Sequence, residues 1–234
     1  MTDELKISCW ITDKATTTDG LCFIRDDEDL PDLLQQFVIV LERGDEARAN
    51  ELLILGAARV LLADAALLDS AVIGRLAQQY GTERVGIYLP TKKMEVSWAI
   101  DYISNEDFNC ITPSYGKASW VVLMSDGSET GTDVVWWVAQ MLELGATSVL
   151  IGVDMQDNDL NICAELVENY GDKLWFTPLH QPDADLEPWV RYGQVRQLLL
   201  PSPNNRDEAE MARIITAALP AVQDGMENEL GVTV

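Results

Sequence analysis

Four side chains that could carry acid–base chemistry follow apolar, strand-like runs of this sequence. Asp13, Asp64 and Asp154 each lie close after such a run, and His180 is the single histidine. Converging carboxylates could exchange protons with a substrate or bind a hard cation, and the histidine could act as a general base. In the alternative interpretation, each Asp caps the next helix or turn. All four are candidate catalytic residues.

The apolar runs that would position them alternate with segments of helical periodicity. The runs are continuously apolar, which indicates strands buried on both faces, as in a parallel sheet covered by helices. This alternation predicts an α/β fold. The predicted strands are 7–12, 37–41, 59–63, 85–89, 120–124, 148–153, 174–177 and 195–200, and the predicted helices are 30–36, 45–55, 70–80, 133–144, 160–170, 186–192 and 206–222.

Two segments interrupt this rhythm. Asp19-Gly20 followed by residues 21–25 predicts a β-hairpin with the first strand. Residues 91–118 form a long polar connection, which in a compact domain is usually functional or packs over a barrel mouth. We expect one domain over residues 1–225 and a fraying tail at 226–234.

The composition restricts the classes of partner. The chain has 234 residues, and 39 Asp and Glu against 16 Lys and Arg give a net charge of −23. Such acidity disfavours nucleic acid and anionic membrane surfaces as partners. No apolar run is long enough to span a membrane and no signal peptide is visible, so we expect a cytoplasmic protein. The acidity and the scarcity of lysine also fit a saline habitat.

The cysteines give no indication of a metal site. Cys9, Cys22, Cys110 and Cys163 form no CxxC motif and have no histidine nearby. We therefore predict reduced structural thiols, no bound metal and no cofactor. A Cys9–Cys22 bridge is conceivable if the segments that carry these residues pair.

An internal repeat suggests how the units are arranged. LILGAARVLLAD (53–64) matches LELGATSVLIGVD (142–154), and RLAQQYGTERV (75–85) matches ELVENYGDKLW (165–175). Two similar halves of a parallel α/β chain predict a TIM-like (βα)-barrel built from half-barrels, with an open doubly wound sheet as the alternative.

The order of motifs resembles the histidine-biosynthesis barrels, namely phosphoribosylformimino-AICAR ribotide isomerase and the cyclase subunit of imidazole glycerol phosphate synthase. The resemblance is carried by FVIVLERGDEARANELLILGAARVLLADAAL (37–67), LAQQYGTERVGIYL (76–89) and GTDVVWWVAQMLELGATSVLIGVDMQDND (131–159). It implies a phosphate-binding barrel. The chain is short before residue 37, so either the barrel has seven units or the run at 7–12 is its second strand.

The departures from that family fall on its functional residues. The resemblance implies a catalytic Asp at the end of strand five, where this chain has Tyr88-Leu89-Pro90. One glycine remains in the third-strand turn, Glu42-Arg43-Gly44-Asp45, and the turns after strands seven and eight contain prolines and few donors. Gly44, Asp45 and Ser202 remain candidate ligand-binding residues at these turns.

The segment 133–144 predicts a helix that is apolar nearly all round, with only Asp133, Gln140 and Glu143 polar. An outer barrel helix needs one apolar stripe, so the other face requires either internal cover or a partner. We predict that Trp136 or Trp137 contacts a second copy of the chain or another protein.

Two functions follow from these patterns. In the first, the barrel has lost the phosphoribosyl isomerase or cyclase reaction and serves as a binding or interaction protein. In the second, it is an isomerase or lyase that acts on a small molecule through strand-end carboxylates, with an acidic mouth that favours a cationic ligand. An open pocket would favour the enzyme, and a mouth plugged by residues 91–118 would favour the interaction protein.

Overall fold

The structure is a computed structural model that describes residues 4–11, 21–26, 30–94, 99–104, 109–114, 119–201 and 208–218. The predicted tail lies outside these residues. Twelve strands occur in this part of the chain: β1 (Lys6–Cys9), β2 (Cys22–Arg25), β3 (Phe37–Leu41), β4 (Arg59–Leu62), β5 (Val85–Lys93), β6 (Ala99–Ser104), β7 (Asn109–Ser114), β8 (Trp120–Leu123), β9 (Glu129–Asp133), β10 (Val149–Gly152), β11 (Leu174–Thr177) and β12 (Gln197–Leu200).

Eight of these strands form a parallel barrel. Their hydrogen-bonded order is β1-β12-β11-β10-β5-β4-β3-β2. The two ends of this order meet where Trp10 bridges Phe23 in parallel, and the Ile11 N–H donates to the Phe23 carbonyl at 2.8 Å. The predicted TIM-like barrel is confirmed, and it has eight strands, of which residues 6–9 provide the first.

Seven α-helices in the described residues accompany the strands. They are α1 (Glu46–Ile54), α2 (Asp64–Leu68), α3 (Ala71–Tyr80), α4 (Val134–Glu143), α5 (Leu160–Tyr170), α6 (Glu187–Arg191) and α7 (Glu208–Ala217). The helix predicted at 30–36 is wrong, because these residues form turns and coil. The barrel is thus irregular at its N-terminal units, where residues 4–11, 21–26 and 30–36 contain no helix. No helix of the described residues is long and apolar enough to cross a membrane.

Two strand predictions also need correction. The predicted hairpin at 19–25 is wrong, because β2 pairs in parallel with β3 and its Phe23 bridges Trp10 in parallel. The run at 120–124 is a strand outside the barrel, since β8 pairs in antiparallel fashion with the end of β5 and with β9. Local periodicity identifies a strand but does not determine its partner or direction.

The sequence repeat maps onto β4 and β10, the fourth and sixth strands around the barrel. A half-barrel duplication would relate strands four positions apart, so the repeat does not divide the barrel into halves. Instead, it reflects a shared backbone requirement, because Gly56 and Gly145 end the preceding helices with φ of 97° and 108°. Such positive φ values favour glycine after a helix.

The strand alternation separates two layers of core. Trp10, Phe23, Tyr88 and Trp175 belong to a buried cluster inside the barrel, together with Val38, Val40, Leu61, Ala63, Leu150 and Leu199. The alternate residues pack outward against the helices in a second cluster. Because inward positions recur every second residue, each strand that extends past this interior layer presents its next inward residue at the barrel mouth.

Candidate active site

A cavity of about 730 Å³ opens at the carboxyl ends of the barrel strands. One side is formed by residues that follow the interior layer on β2, β3 and β10, namely Arg25, Glu42 and Asp154. The rest of the lining includes residues of the β5 extension and of the β8–β9 turn, among them Lys92, Lys93 and Asp126. The carboxyl end of a (βα)-barrel is the face that carries chemistry in characterised enzymes.

Asp154 and His180 form a hydrogen-bonded pair on the wall of this cavity. The His180 Nδ1 atom lies 2.9 Å from Asp154 Oδ2. The other carboxylate oxygen, Oδ1, accepts the backbone N–H groups of Leu179, His180 and Gln181 at 3.0, 2.8 and 3.1 Å. One carboxylate therefore fixes both the turn after β11 and the orientation of the imidazole. This arrangement corrects the expectation that the turn is poor in donors, because its N–H groups are present and are bound by Asp154.

The charge state of Asp154 follows from these contacts. Burial raises the pKa of Asp154, but the hydrogen bonds from His180, Gln181 and Leu179 outweigh burial and hold the pKa below its ordinary value. The carboxylate is therefore ionised at neutral pH. An ionised acceptor favours the imidazole tautomer with its proton on Nδ1, which leaves Nε2 as the basic nitrogen.

Tyr88 places a neutral hydroxyl at the floor of the cavity. Its side chain is 3% exposed, and Gly152 leaves room for it, since a Cβ there would lie 3.0 Å from the Tyr88 hydroxyl oxygen. Burial raises the pKa of Tyr88, Glu42 and Asp154 raise it further, and Arg25 lowers it. The phenol remains protonated at neutral pH, and among the described residues its hydroxyl has no hydrogen-bond partner. It is available to a ligand.

Arg25 lies beside the phenol and is held by two contacts. Its guanidinium carbon lies 4.8 Å from the centre of the Trp10 ring, and its Nη1 atom lies 3.4 Å from Glu42 Oε1. The stacking contact fixes the plane of the guanidinium group, while the longer ion pair leaves its donors able to reach a ligand oxygen.

The wall formed by the β5 extension carries two ion pairs. Lys92 pairs with Glu129 on β9, and the Lys93 Nζ atom lies 2.7 Å from the buried Asp159. The extension begins at Pro90, which pairs with Gly152 of β10 at the point where β5 changes its other partner from β4 to β8. A proline fits where a strand loses one ladder partner.

The cavity is less acidic than the sequence predicted. Three cationic side chains and four carboxylates line it, against the net charge of −23 of the whole chain. Most of the acidic excess therefore lies elsewhere, and the mouth combines both signs of charge instead of being uniformly acidic. The sequence did not identify Arg25, Lys92 and Lys93 as site residues. Two adjacent lysines in a chain with few lysines were a signal that could have indicated Lys92 and Lys93.

Asp64 is engaged in a structural contact rather than in the lining of the cavity. Its Oδ1 atom accepts the Ser125 N–H at 2.8 Å, and its Oδ2 atom accepts the Ser125 hydroxyl. Asp64 and Asp154 thus hold separate loops, although each lies two residues after the last residue of its strand.

Asp13 and Ser202 lie outside the described residues. Within the described part of the chain, no group of three or more His, Cys, Asp or Glu side chains could hold a metal ion.

Gly44 and Asp45, the two candidate ligand-binding residues in the turn after β3, make contacts within the protein. Asp45 caps α1 by accepting the Arg48 N–H at 2.9 Å, so its carboxylate lies where a bound phosphate would sit at a helix N-terminus. Gly44 packs against the Leu41 side chain, because a Cβ at this position would lie 2.2 Å from Leu41 Cδ1.

Gly44→Ala is therefore expected to lower the free energy of unfolding by about 2 kcal/mol through overpacking against buried Leu41. Urea unfolding followed by tryptophan fluorescence measures this effect. Gly127→Ala is the matched control, since a Cβ at Gly127 has nothing within 4 Å. Its cost is limited to backbone strain at φ 85°. A loss below about 0.5 kcal/mol in Gly44→Ala would contradict the packing role.

Comparisons with known proteins add little to this geometry. No family model matches the sequence, and no curated protein matches it. Among solved structures, the chain is similar to a phosphoribosyl anthranilate isomerase from Thermococcus kodakaraensis, with 12% identity and a TM-score of 0.48, over 95% of this chain and 100% of that one. A likeness this distant carries no argument about function, and the barrel assignment rests on the strand order itself.

Proposed function

We propose that the barrel mouth binds a small organic molecule and that His180, oriented by Asp154, transfers a proton to or from one of its carbon atoms. The reaction class is that of an isomerase or lyase. The observation that carries the proposal is the 2.9 Å contact between His180 Nδ1 and Asp154 on the wall of an open cavity. A carboxylate that holds one ring nitrogen leaves the other poised as a general base.

The other groups of the cavity suit the same chemistry. Removal of a proton next to a carbonyl group places negative charge on the carbonyl oxygen, and a neutral donor or a cation stabilises that charge. The Tyr88 hydroxyl and the Arg25 guanidinium are such groups, and both line the cavity with His180. We therefore assign His180 to the proton transfer, and Tyr88 and Arg25 to the developing oxyanion.

We further propose that the reaction of the histidine-biosynthesis barrels has been lost. Pro90 stands near the position where the resemblance implies a catalytic Asp. Two sets of backbone donors that could bind phosphate, at the start of α1 and after β11, are occupied by Asp45 and Asp154. Tight binding of a phosphoribosyl compound would contradict this part of the proposal.

The test has two stages. A thermal-shift screen of 2-oxo acids, hydroxy acids, sugars, phosphosugars, nucleotides and metal salts identifies ligands of the full chain. Each ligand is then incubated with the protein in D₂O, and proton NMR follows the loss of signal at the carbon next to the carbonyl group. We expect at least one ligand to exchange this proton with solvent in an enzyme-dependent manner. Binding without exchange for every ligand found would refute the catalytic proposal.

A second candidate function, as an interaction protein, is favoured by the outer face of α4. Val134, Trp137, Val138 and Met141 form the buried stripe of this helix, whereas the neighbouring Trp136 side chain is 55% exposed. Trp136 lies outside this stripe, and its ring contacts that of Trp137 with the ring centroids 5.8 Å apart. An exposed indole of this size is common at protein interfaces, so this face suits a second copy of the chain or a protein partner.

Trp136→Glu is expected to convert an oligomer into a monomer and to lower the melting temperature only slightly, because the side chain is mostly exposed. Light scattering at micromolar concentration measures the mass of the wild-type and variant proteins. Leu68→Glu on α2 is the matched control, since Leu68 is also exposed but lies on another helix. A monomeric wild-type protein would refute self-association through α4.

A further inference from the structure

Cys9 and Cys22 are neighbours across the seam that closes the barrel. Trp10 bridges Phe23 in parallel, and the Ser8 hydroxyl donates to the Leu21 carbonyl at 3.0 Å, so the intervening residues Cys9 and Cys22 stand opposite each other. Neighbouring strands lie about 4.8 Å apart, which is within the Cα separation of about 4.4–6.8 Å that a disulfide spans.

The two thiols also point to the same side of the sheet. Trp10 and Phe23 belong to the cluster inside the barrel, whereas Cys22 belongs to the outer core and Cys9 packs against that core. Burial raises the pKa of the Cys9 thiol, and the neighbouring Cys22 raises it further. Cys9 is partly exposed and Cys22 is 1% exposed. Both are reduced in the structure.

The seam is a sparsely paired junction of the barrel. Three to four register pairs join β1 to β12, β2 to β3, β3 to β4 and β4 to β5, whereas a single pair joins β11 to β12 and one isolated bridge joins the β1 and β2 segments. We infer that Cys9 and Cys22 are an oxidation site that takes a small-molecule disulfide as co-reactant and forms an intramolecular disulfide across this seam.

The chemistry balances as two thiol–disulfide exchanges. The Cys9 thiolate, as the accessible thiol, attacks one sulfur of oxidised glutathione and releases one glutathione thiolate. The Cys22 thiolate then attacks Cys9 Sγ in the mixed disulfide and releases the second glutathione. The two protein thiols lose two electrons and two protons in total, and one oxidised glutathione becomes two reduced molecules. The raised pKa of Cys9 makes the first step slow, so the reaction is measured at equilibrium.

The experiment equilibrates the full reduced chain with oxidised glutathione, blocks remaining thiols with N-ethylmaleimide at low pH, and digests it with trypsin without reduction. Lys14 separates the two cysteines, so the reduced protein gives the peptides ISCWITDK and ATTTDGLCFIR. We expect a single cross-linked product of these peptides, lighter by two hydrogens than their sum, and a melting temperature raised by about 5 °C.

Variants identify the thiols that are responsible. Cys9→Ser and Cys22→Ser should each abolish the rise in melting temperature, and Cys110→Ser on β7, the matched control, should retain it. Peptide mapping of the wild-type chain remains decisive if a variant does not fold. Stable glutathionylation of Cys9 with Cys22 still alkylated, or a disulfide between two chains, would overturn the inference.

Discussion

His180→Asn is expected to slow enzyme-dependent deuterium exchange into the ligand by about 10²–10⁴-fold, the range typical for loss of a general base. The asparagine amide can still donate to Asp154 from near the position of Nδ1, but it has no group in place of Nε2. Loss of exchange with ligand affinity retained would therefore locate the chemistry at Nε2. The measurement is proton NMR in D₂O with a ligand from the thermal-shift screen.

The control for this substitution is Asp183→Asn, at an exposed position in the same connection between β11 and α6. It changes the charge near the loop but removes no group that lines the cavity. We expect its exchange rate to stay within about twofold of the wild-type rate. If the His180→Asn variant catalyses deuterium exchange into the ligand as fast as the Asp183→Asn variant does, another group is the base and His180 has no role in the proton transfer.

Asp154→Ala is expected to lower the free energy of unfolding by about 3 kcal/mol and to abolish exchange. The substitution removes the acceptor for three backbone N–H groups and for the imidazole, and hydrogen bonds to a charged group are worth about 1.5–3 kcal/mol each before the freed donors regain water. Urea unfolding measures the loss of stability. Asp154→Asn, which keeps one acceptor oxygen, should lose less stability than Asp154→Ala.

The contribution of Asp154 should also depend on pH in a defined direction. Because its folded pKa is lowered, its stabilising effect is full above its ordinary value of 3.8 and is lost as the pH falls through the lower folded pKa. The difference in unfolding free energy between wild type and Asp154→Ala should therefore be constant from pH 7 to pH 5 and smaller at pH 3. A difference that grows toward acid pH would contradict an ionised, hydrogen-bonded Asp154.

The main elements of the fold were predictable because local sequence carries their signals. Strand β3 and helix α5 have the predicted bounds, α3 begins one residue later than predicted, and α1 and α4 are one residue shorter than predicted at each end. The predicted helix at 30–36 failed although Leu34 is buried, because the Leu34 carbonyl accepts the N–H groups of Phe37 and Ala58 and makes no helical hydrogen bond. The hairpin prediction was wrong because an Asp-Gly pair indicates a turn but does not determine whether the following strand pairs in parallel or antiparallel fashion.

The site was predictable only as a set of unconnected residues. Asp154 and His180 were both candidates, but nothing in the sequence links positions separated by 26 residues. Asp64 was an equally strong candidate, yet the structure joins it to Ser125 on the β8–β9 turn. Tyr88 also lies at the end of a strand but was not selected as a site residue. Its role in the cavity depends on the space that Gly152 leaves for its hydroxyl.

By itself, the sequence determined most of the strands and helices, and a parallel arrangement of strands around an apolar core, with an open sheet as the alternative to a barrel. These properties follow from hydrophobic periodicity, which acts over a few residues. Only the tertiary structure decided which side chains meet: Asp154 with His180, Asp64 with Ser125, and Cys9 opposite Cys22. The physical reason is that strand order and register around the barrel set these contacts, and register depends on packing across the whole sheet.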